Sequence, residues 1–294
     1  MNTIKLLPEQ YPPLLQTLEK MPPFLYCAGE LPPSSEYTYL CVVGSRRYSE
    51  YGRDACIKLI SGLRNYPVVI VSGLAIGIDS VAHAAALNVG LKTLSFPGSG
   101  LSRGALYPAA HYQLAMKIIE SGGTLLSPFD PEQMGAVWTF PVRNELMAAS
   151  SKATLVIEGG NGSGTLITAD AGLRFNRDVM VVPGSIFASH SYAPHYLFGQ
   201  GATPVFTSED ILGVLGFDVN RPKPAPDEPL QIESLPLSPD QKNIIRELQH
   251  GALNSSDLIK KTSLSAIQLN MLLSQLELEE IIIEHGGVFR INGL

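Results

Sequence analysis

The chain is predicted to be an α/β protein: a Rossmann-like, mostly parallel sheet with helices on both faces, followed by a small winged-helix domain. Three observations predict this. Short β-rich runs alternate with helical segments between residues 39 and 206, the pattern of a parallel sheet covered on both sides. Five of those runs end in a glycine- or serine-rich turn, as βα junctions do. After a proline-rich stretch, three helical segments and a glycine-centred hairpin fill the C-terminal end, the element pattern of a winged helix-turn-helix.

In chain order, residues 1–37 carry the pairs Pro12-Pro13, Pro22-Pro23 and Pro32-Pro33. That density of proline permits short helical pieces at most, so the segment is expected as an arm packed on the main domain. The main domain, 38–218, has predicted strands at Tyr39–Val43, Val68–Val71, Thr93–Phe96, Thr124–Leu126, Thr154–Ile157 and Val179–Val182. Predicted helices lie near 51–64, 79–89, 109–121, 142–151 and 165–176, with a late strand near Pro204–Phe206 and a short helix from Ser208. Residues 219–236 are too proline-rich to fold and are expected as a linker. The last domain, 237–294, has expected helices Ser238–Gln249, Ser255–Lys261 and Ser265–Glu279, with Ser238 and Ser255 as N-caps, then a hairpin turning at Gly286-Gly287.

The 294 residues carry a net charge of −6, which by itself does not mark a nucleic-acid binder. Charge is close to balanced over 38–220 and mildly acidic over the tail. A phosphate-binding surface must therefore be a focused pocket and not a basic coat. No apolar run reaches the ~20 residues of a membrane helix, and Met1–Gln10 lacks the basic and apolar parts of a signal peptide. Cys27, Cys41 and Cys56 have no metal-ligand spacing and are expected as reduced, buried thiols of a cytoplasmic protein.

The turns carry the functional signal. They are Gly44-Ser45-Arg46-Arg47, Ser72-Gly73 running to Asp79, Pro97-Gly98-Ser99-Gly100, Gly159-Gly160-Asn161-Gly162-Ser163-Gly164-Thr165 and Pro183-Gly184-Ser185. In a parallel sheet all of them fall on one edge, where helix N-termini aim amide donors and positive dipole ends at a ligand. Such a rim suits repeating phosphates. Beside it, Trp138-Thr139-Phe140-Pro141-Val142-Arg143-Asn144 supplies aromatic faces and a guanidinium, the kit for single-stranded nucleic acid. Trp138 is expected in core or interface packing; Phe140 fits core and stacking equally. Pro141 is expected at the helix start.

Enzymatic patterns fit poorly. Gly44 stands alone, so the dinucleotide G-x-G-x-x-G is absent. Gly159 to Gly164 has P-loop spacing, but Thr165 occupies the lysine position. A nucleophile elbow is not expected. Asp79 and His83 share a helical face, where a capping Asp and a packing His are preferred to an acid–base pair. His190 and His195 lack carboxylate partners at ligand spacing, so no metal is expected.

The ordered blocks Val43-Gly44-Ser45-Arg46, Ser72-Gly73 through Gly77-Ile78-Asp79 to Ala82-His83, Tyr107-Pro108, Phe140-Pro141-x-Arg143-Asn144, Ser163-Gly164-Thr165-Leu166-Ile167-Thr168-Ala169 and Val182-Pro183-Gly184 resemble the signatures of the DNA-processing protein A (DprA/Smf) family. The resemblance implies a non-catalytic, cofactor-free homodimer that binds single-stranded DNA and loads RecA recombinase during natural transformation. Its pocket would comprise Gly44, Ser45, Arg46, Arg47, Gly73, Phe140, Arg143, Asn144, Ser163, Gly164 and Thr165. Glu145, Gly162, Ala193 and His195 depart from the family pattern, which implies weaker affinity; Arg47, Arg103 and Arg174 are candidates to compensate. The expected recognition helix, Ser265–Glu279, has no Lys or Arg, so the winged helix is expected to contact protein and not duplex DNA. A rival reading compares the late loop with LOG-type phosphoribohydrolases. Their glutamate three residues after Gly-Thr is replaced here by Thr168. A nucleotide-sensing module is the third possibility.

Overall fold

The computed structural model describes residues 1–219, 237–249, 251, 253–279 and 281–291. They belong to two compact units, Met1–Asn220 and Arg221–Leu294.

The first unit is built on a nine-stranded sheet. Its strands are β1 (Ile4–Leu6), β2 (Leu25–Gly29), β3 (Thr38–Val43), β4 (Val68–Ser72), β5 (Lys92–Ser95), β6 (Thr124–Ser127), β7 (Ala153–Val156), β8 (Asp178–Val181) and β9 (Thr203–Pro204), ordered β1-β2-β6-β5-β4-β3-β7-β8-β9. The run from β6 to β9 is parallel. Its helices are α1 (Glu50–Ser61), α2 (Ile78–Asn88), α3 (Tyr112–Glu120), α4 (Thr139–Ser150), α5 (Gly164–Arg174), α6 (Tyr192–Gly199) and α7 (Ser208–Val214).

Both faces of the sheet are covered, and the side-chain alternation of β3 displays it. Tyr39, Cys41 and Val43 pack with Leu146 and Met147 of α4, Ala169 of α5 and Leu197 of α6. Leu40 and Val42 point the other way, to Cys56 and Ile60 of α1, Ala82 of α2 and Ile211 of α7. A strand buried on both faces has no polar alternation, which is why these runs read as continuously apolar.

The N-terminal segment is more than the packed arm the prolines suggest. β1 pairs antiparallel with β2, and β2 pairs antiparallel with β6, so the segment extends the main sheet. Leu6, Tyr11, Leu15, Leu25 and Cys27 join the core around α4 and α5. Proline is tolerated at that edge because the paired stretches avoid it. α4 also begins earlier than predicted, which places Pro141 third in the helix; its missing N–H is harmless there, since the first turn's amides have no intrahelical partner. The late strand is reduced to Thr203–Pro204, and Ala109–His111 is a separate 3₁₀ turn ahead of α3. The three cysteines are free and buried, and burial pushes the Cys27 thiol up to about 11, away from thiolate chemistry. Among the described residues no helix is long and apolar enough to cross a membrane.

The second unit contains α8 (Pro239–Gln249), β10 (Leu253–Asn254), α9 (Ser255–Thr262), α10 (Ala266–Leu278), β11 (Ile282–His285) and β12 (Val288–Ile291). Its strands form an antiparallel sheet ordered β10-β12-β11 around a core of Ile244, Leu258, Leu269, Leu276 and Phe289. This is the element order of a winged helix. Asn254, and not Ser255, caps α9: its Oδ1 accepts the Asp257 N–H at 2.9 Å. The expected linker falls outside the described residues except at Val219.

Candidate nucleic-acid interface

The sheet reverses its winding between β3 and β7: successive strands run outward from β3 through β4, β5 and β6 on one side, and from β7 through β8 and β9 on the other. Loops leaving these two neighbours diverge, which opens a crevice beyond their carboxyl ends. That crevice holds about 700 Å³. Gly44, Ser45, Arg46 and Arg47 form one wall; Ser163, Gly164 and Thr165 form the other; Arg143 and Asn144 lie between.

Each wall has a local cause. On the first, Ser45 Oγ accepts the Arg47 N–H at 3.0 Å and turns the chain, leaving Arg46 and Arg47 exposed. Ser49 then caps α1 by accepting the Gly52 N–H at 3.0 Å. Glu158, just past β7, accepts from both the Ser49 N–H and its hydroxyl at 2.8 Å, tying the two sides of the switch point together. On the opposite wall, Gly162 takes φ +68°, which favours glycine, and Ser163 begins α5. The first turn of α5 borders the crevice, and the unpaired amides of a helix start are suited to an anion. Asn144 braces it by donating to the Gly164 carbonyl at 3.4 Å.

Phe140 stands at the rim, half-buried. The Arg46 guanidinium lies 5.2 Å over its ring, and the Tyr107 ring is 5.7 Å away on a tilt. Cation, Phe140 and half-exposed Tyr107 together form an aromatic platform beside the crevice, of the kind on which bases stack. Tyr107 sits far from Phe140 in sequence, and the packing of the 97–108 loop supplies the link.

Two residues expected in the pocket have other duties. Gly73 lies outside the crevice lining, and a Cβ there would overlap the Arg143 guanidinium. Its smallness admits arginine, not ligand. Arg143 is only 4% exposed. It donates to the Gly73 carbonyl and, at 3.0 Å, to the Phe96 carbonyl. It also lies 3.9 Å from Asp79 Oδ2, which accepts the Gly73 N–H at 3.1 Å. Burial raises the Asp79 carboxyl and lowers the Arg143 guanidinium; each charge opposes the other's shift. Arg143 therefore knits the ends of β4, β5 and α2 into the crevice floor. Asp79 braces the loop before α2, and His83 is fully buried with Nδ1 2.5 Å from Thr93 Oγ1. Burial first, then the charges of His111 and Arg143, pull the His83 pKa to about 3.

Trp138 is 58% exposed, edge-on to Phe129 at 5.4 Å, and so is not core in this chain. Of the compensating arginines, Arg47 reaches the crevice. Arg174 is bound to Glu145 at 2.7 Å, and Arg103 lies over the Tyr112 ring at 5.3 Å. Ala193 is buried and donates its N–H to the Gly159 carbonyl at 2.8 Å; His195 Nε2 is 3.1 Å from the Gly184 carbonyl. Gly100-Leu101-Ser102-Arg103-Gly104 does have nucleophile-elbow spacing, contrary to expectation. Ser102 nevertheless sits in a turn well beyond β5, its Oγ accepting the Ala105 N–H at 3.3 Å, and not at a strand-to-helix corner. Among the described residues no cluster of three His, Cys, Asp or Glu could hold a metal ion.

Fold and crevice define the class: a Rossmann-like protein whose candidate binding site lies at the switch point of its sheet. The chain belongs to the DNA-processing protein A family, for the family described as DNA recombination-mediator protein A matches residues 2–216. It is 38% identical over 236 residues to Protein Smf of Escherichia coli, covering 80% of this chain and 61% of that longer one. It is 36% identical to the DNA processing protein DprA of Streptococcus pneumoniae over 73% of this chain and 74% of that one. The X-ray structure of the pneumococcal protein superposes with a TM-score of 0.67 at 33% identity over 74% of this chain and 76% of that one. The Helicobacter pylori protein, described for its single-stranded-DNA binding mode, superposes with a TM-score of 0.63 at 24% identity over 73% and 94%, which shows the shared fold.

Proposed function

We propose that the chain binds single-stranded DNA along the carboxyl edge of its sheet and, as a homodimer, delivers it to RecA recombinase during DNA uptake, without catalysing a reaction. One observation carries the DNA reading: at the switch point, two exposed arginines and the N-terminal turn of α5 flank one crevice, with the Phe140–Tyr107 platform on its rim. Amides and guanidinium groups hold phosphates, while an aromatic face accepts any base without reading its identity. The DNA-processing relatives support this assignment. For the dimer, Phe198 and Phe206 are 57% and 68% exposed and line one apolar pocket of about 290 Å³ with Pro194 and Pro204, the composition of a surface that a second copy would cover.

Titration of a fluorescent oligothymidine beside a nucleoside monophosphate tests the reading. The oligonucleotide is expected to bind at least about tenfold more tightly, with Arg46→Ala weakening it by a similar factor. Tighter binding of the mononucleotide, or release of free base from it, would replace this reading with the nucleotide-binding or phosphoribohydrolase one. RecA loading is checked by filament nucleation on single strands coated with single-strand-binding protein, expected to quicken when this chain is added.

A further inference from the structure

α10 has two apolar faces, and the core of its own unit accounts for one. Leu269, Leu272, Leu273 and Leu276 are buried with α8, α9 and the hairpin. On the other side Ile267, Met271 and Leu278 are 84%, 56% and 85% exposed, with exposed Ser274 between them. Positions 267, 271, 274 and 278 follow the alternating four-and-three spacing of a coiled-coil seam, so they form one narrow stripe.

We propose that this stripe pairs antiparallel with the same stripe of a second copy of the chain, about a two-fold axis level with Leu272 and Leu273. That register sets Ile267 against the partner's Leu278, and Met271 against the partner's Ser274. The long side chain meets the small one, so two helices can approach closely along the whole stripe. The contact is self-complementary, as a two-fold interface requires.

Charge selects the direction. Glu277 and Glu279 sit at the C-terminal end of α10, where the helix dipole disfavours carboxylates and the last turn holds no basic residue. Antiparallel pairing moves them beside the partner helix's N-terminal turn, which favours negative charge, and away from the partner's own C-terminal carboxylates. Parallel pairing would gather like charges instead. A DNA duplex fits this face poorly, since α10 contains no Lys or Arg to neutralise phosphates. Few side chains are covered, so the contact is weak and concentration-dependent.

Cysteine cross-linking of the full-length chain tests the register, because Cys27, Cys41 and Cys56 are buried and leave an introduced thiol as the reactive one. Chains bearing Ile267→Cys and Leu278→Cys are mixed at about 100 μM, a concentration suited to a small interface, with a short bis-maleimide. The mixture is expected to cross-link several-fold more than either variant alone, and Met271→Glu added to both chains is expected to abolish the difference. Sedimentation of otherwise unaltered Met271→Glu is expected to lose one step of concentration-dependent association, whatever other self-contact the chain makes. Equal cross-linking by Ile267→Cys alone would overturn the register. No cross-linking in the mixture, or sedimentation unmoved by Met271→Glu, would overturn the contact itself, as would micromolar duplex binding that Met271→Glu removes. None of these variants alters a crevice residue, so oligonucleotide affinity reports on the crevice separately.

Discussion

Arg46 and Arg143 look equivalent in sequence, one in a glycine turn and the other at a helix start, and the fold gives them opposite roles. Arg46 is exposed and stacks on Phe140; Arg143 is buried and holds two carbonyls beside Asp79. Truncating Arg143 strands a buried carboxylate, at a cost of about 3 kcal/mol, which lowers the melting temperature by roughly 6–12 °C for a unit of this size. Arg46→Ala should change stability by no more than ~0.5 kcal/mol while weakening oligonucleotide binding. Thermal melts of the two variants check this, and equal melting temperatures would remove Arg143 from the crevice floor. His83 yields a pH prediction. Its pKa falls from the usual 6.5 to about 3 in the fold, so the folded state binds fewer protons than the unfolded one. The stability this contributes is complete above 6.5 and is lost as pH falls from there toward 3. Between pH 6 and pH 4 the wild type should lose about 2 kcal/mol more than His83→Gln, read from urea midpoints. The residue types that line the crevice were legible from the glycine turns together with the family resemblance. Which guanidinium points at solvent was not, because that depends on Gly73 leaving room for Arg143, a contact between distant segments.

At the scale of elements, the parallel strands were legible because burial on both faces makes them continuous apolar runs with glycine turns at their ends. β1 and β2 were not: they are short, flanked by prolines, and paired antiparallel at the sheet edge, so no local signal marks them. β10, two residues long and at the edge of its own sheet, escaped because so short a strand leaves no periodic signal. The joint between loops is also non-local. Gly77 has φ +102°, the Ile78 N–H donates to the Ser45 carbonyl at 3.1 Å, and a Cβ on Gly77 would overlap that carbonyl oxygen. The loop before α2 is thus the underside of the Ser45–Arg47 wall. Gly77→Ala should destabilise by about 1–3 kcal/mol and also reduce oligonucleotide affinity, because the wall must shift. Gly90→Ala is the matched control: Gly90 has φ +77°, yet nothing lies within 4 Å of a Cβ there. It should cost about 1 kcal/mol with binding intact. Denaturant midpoints and anisotropy titrations separate the two, and equal binding by both variants would detach the α2 loop from the site.

For the whole molecule the deciding quantity is charge. A protein at net −6 cannot hold a polyanion by a diffuse basic surface; it must concentrate few cations where the sheet already supplies amides. Arg143 is committed to the floor and Arg174 to Glu145, which leaves Arg46 and Arg47 as the crevice cations on the first wall. Amide donors and stacking release few counterions, so binding should depend only weakly on salt. For about two phosphates neutralised on a single strand, the logarithm of affinity should fall with the logarithm of salt at a slope near −1.5, and Arg46→Ala should make it shallower by about 0.7. A chain ending at residue 219 keeps the whole sheet and its three hydrophobic clusters, and it drops a segment whose α10 has no cation. Its slope should equal that of the full chain. A slope steeper than about −4, or one that collapses on truncation, would place the phosphate contacts outside the crevice.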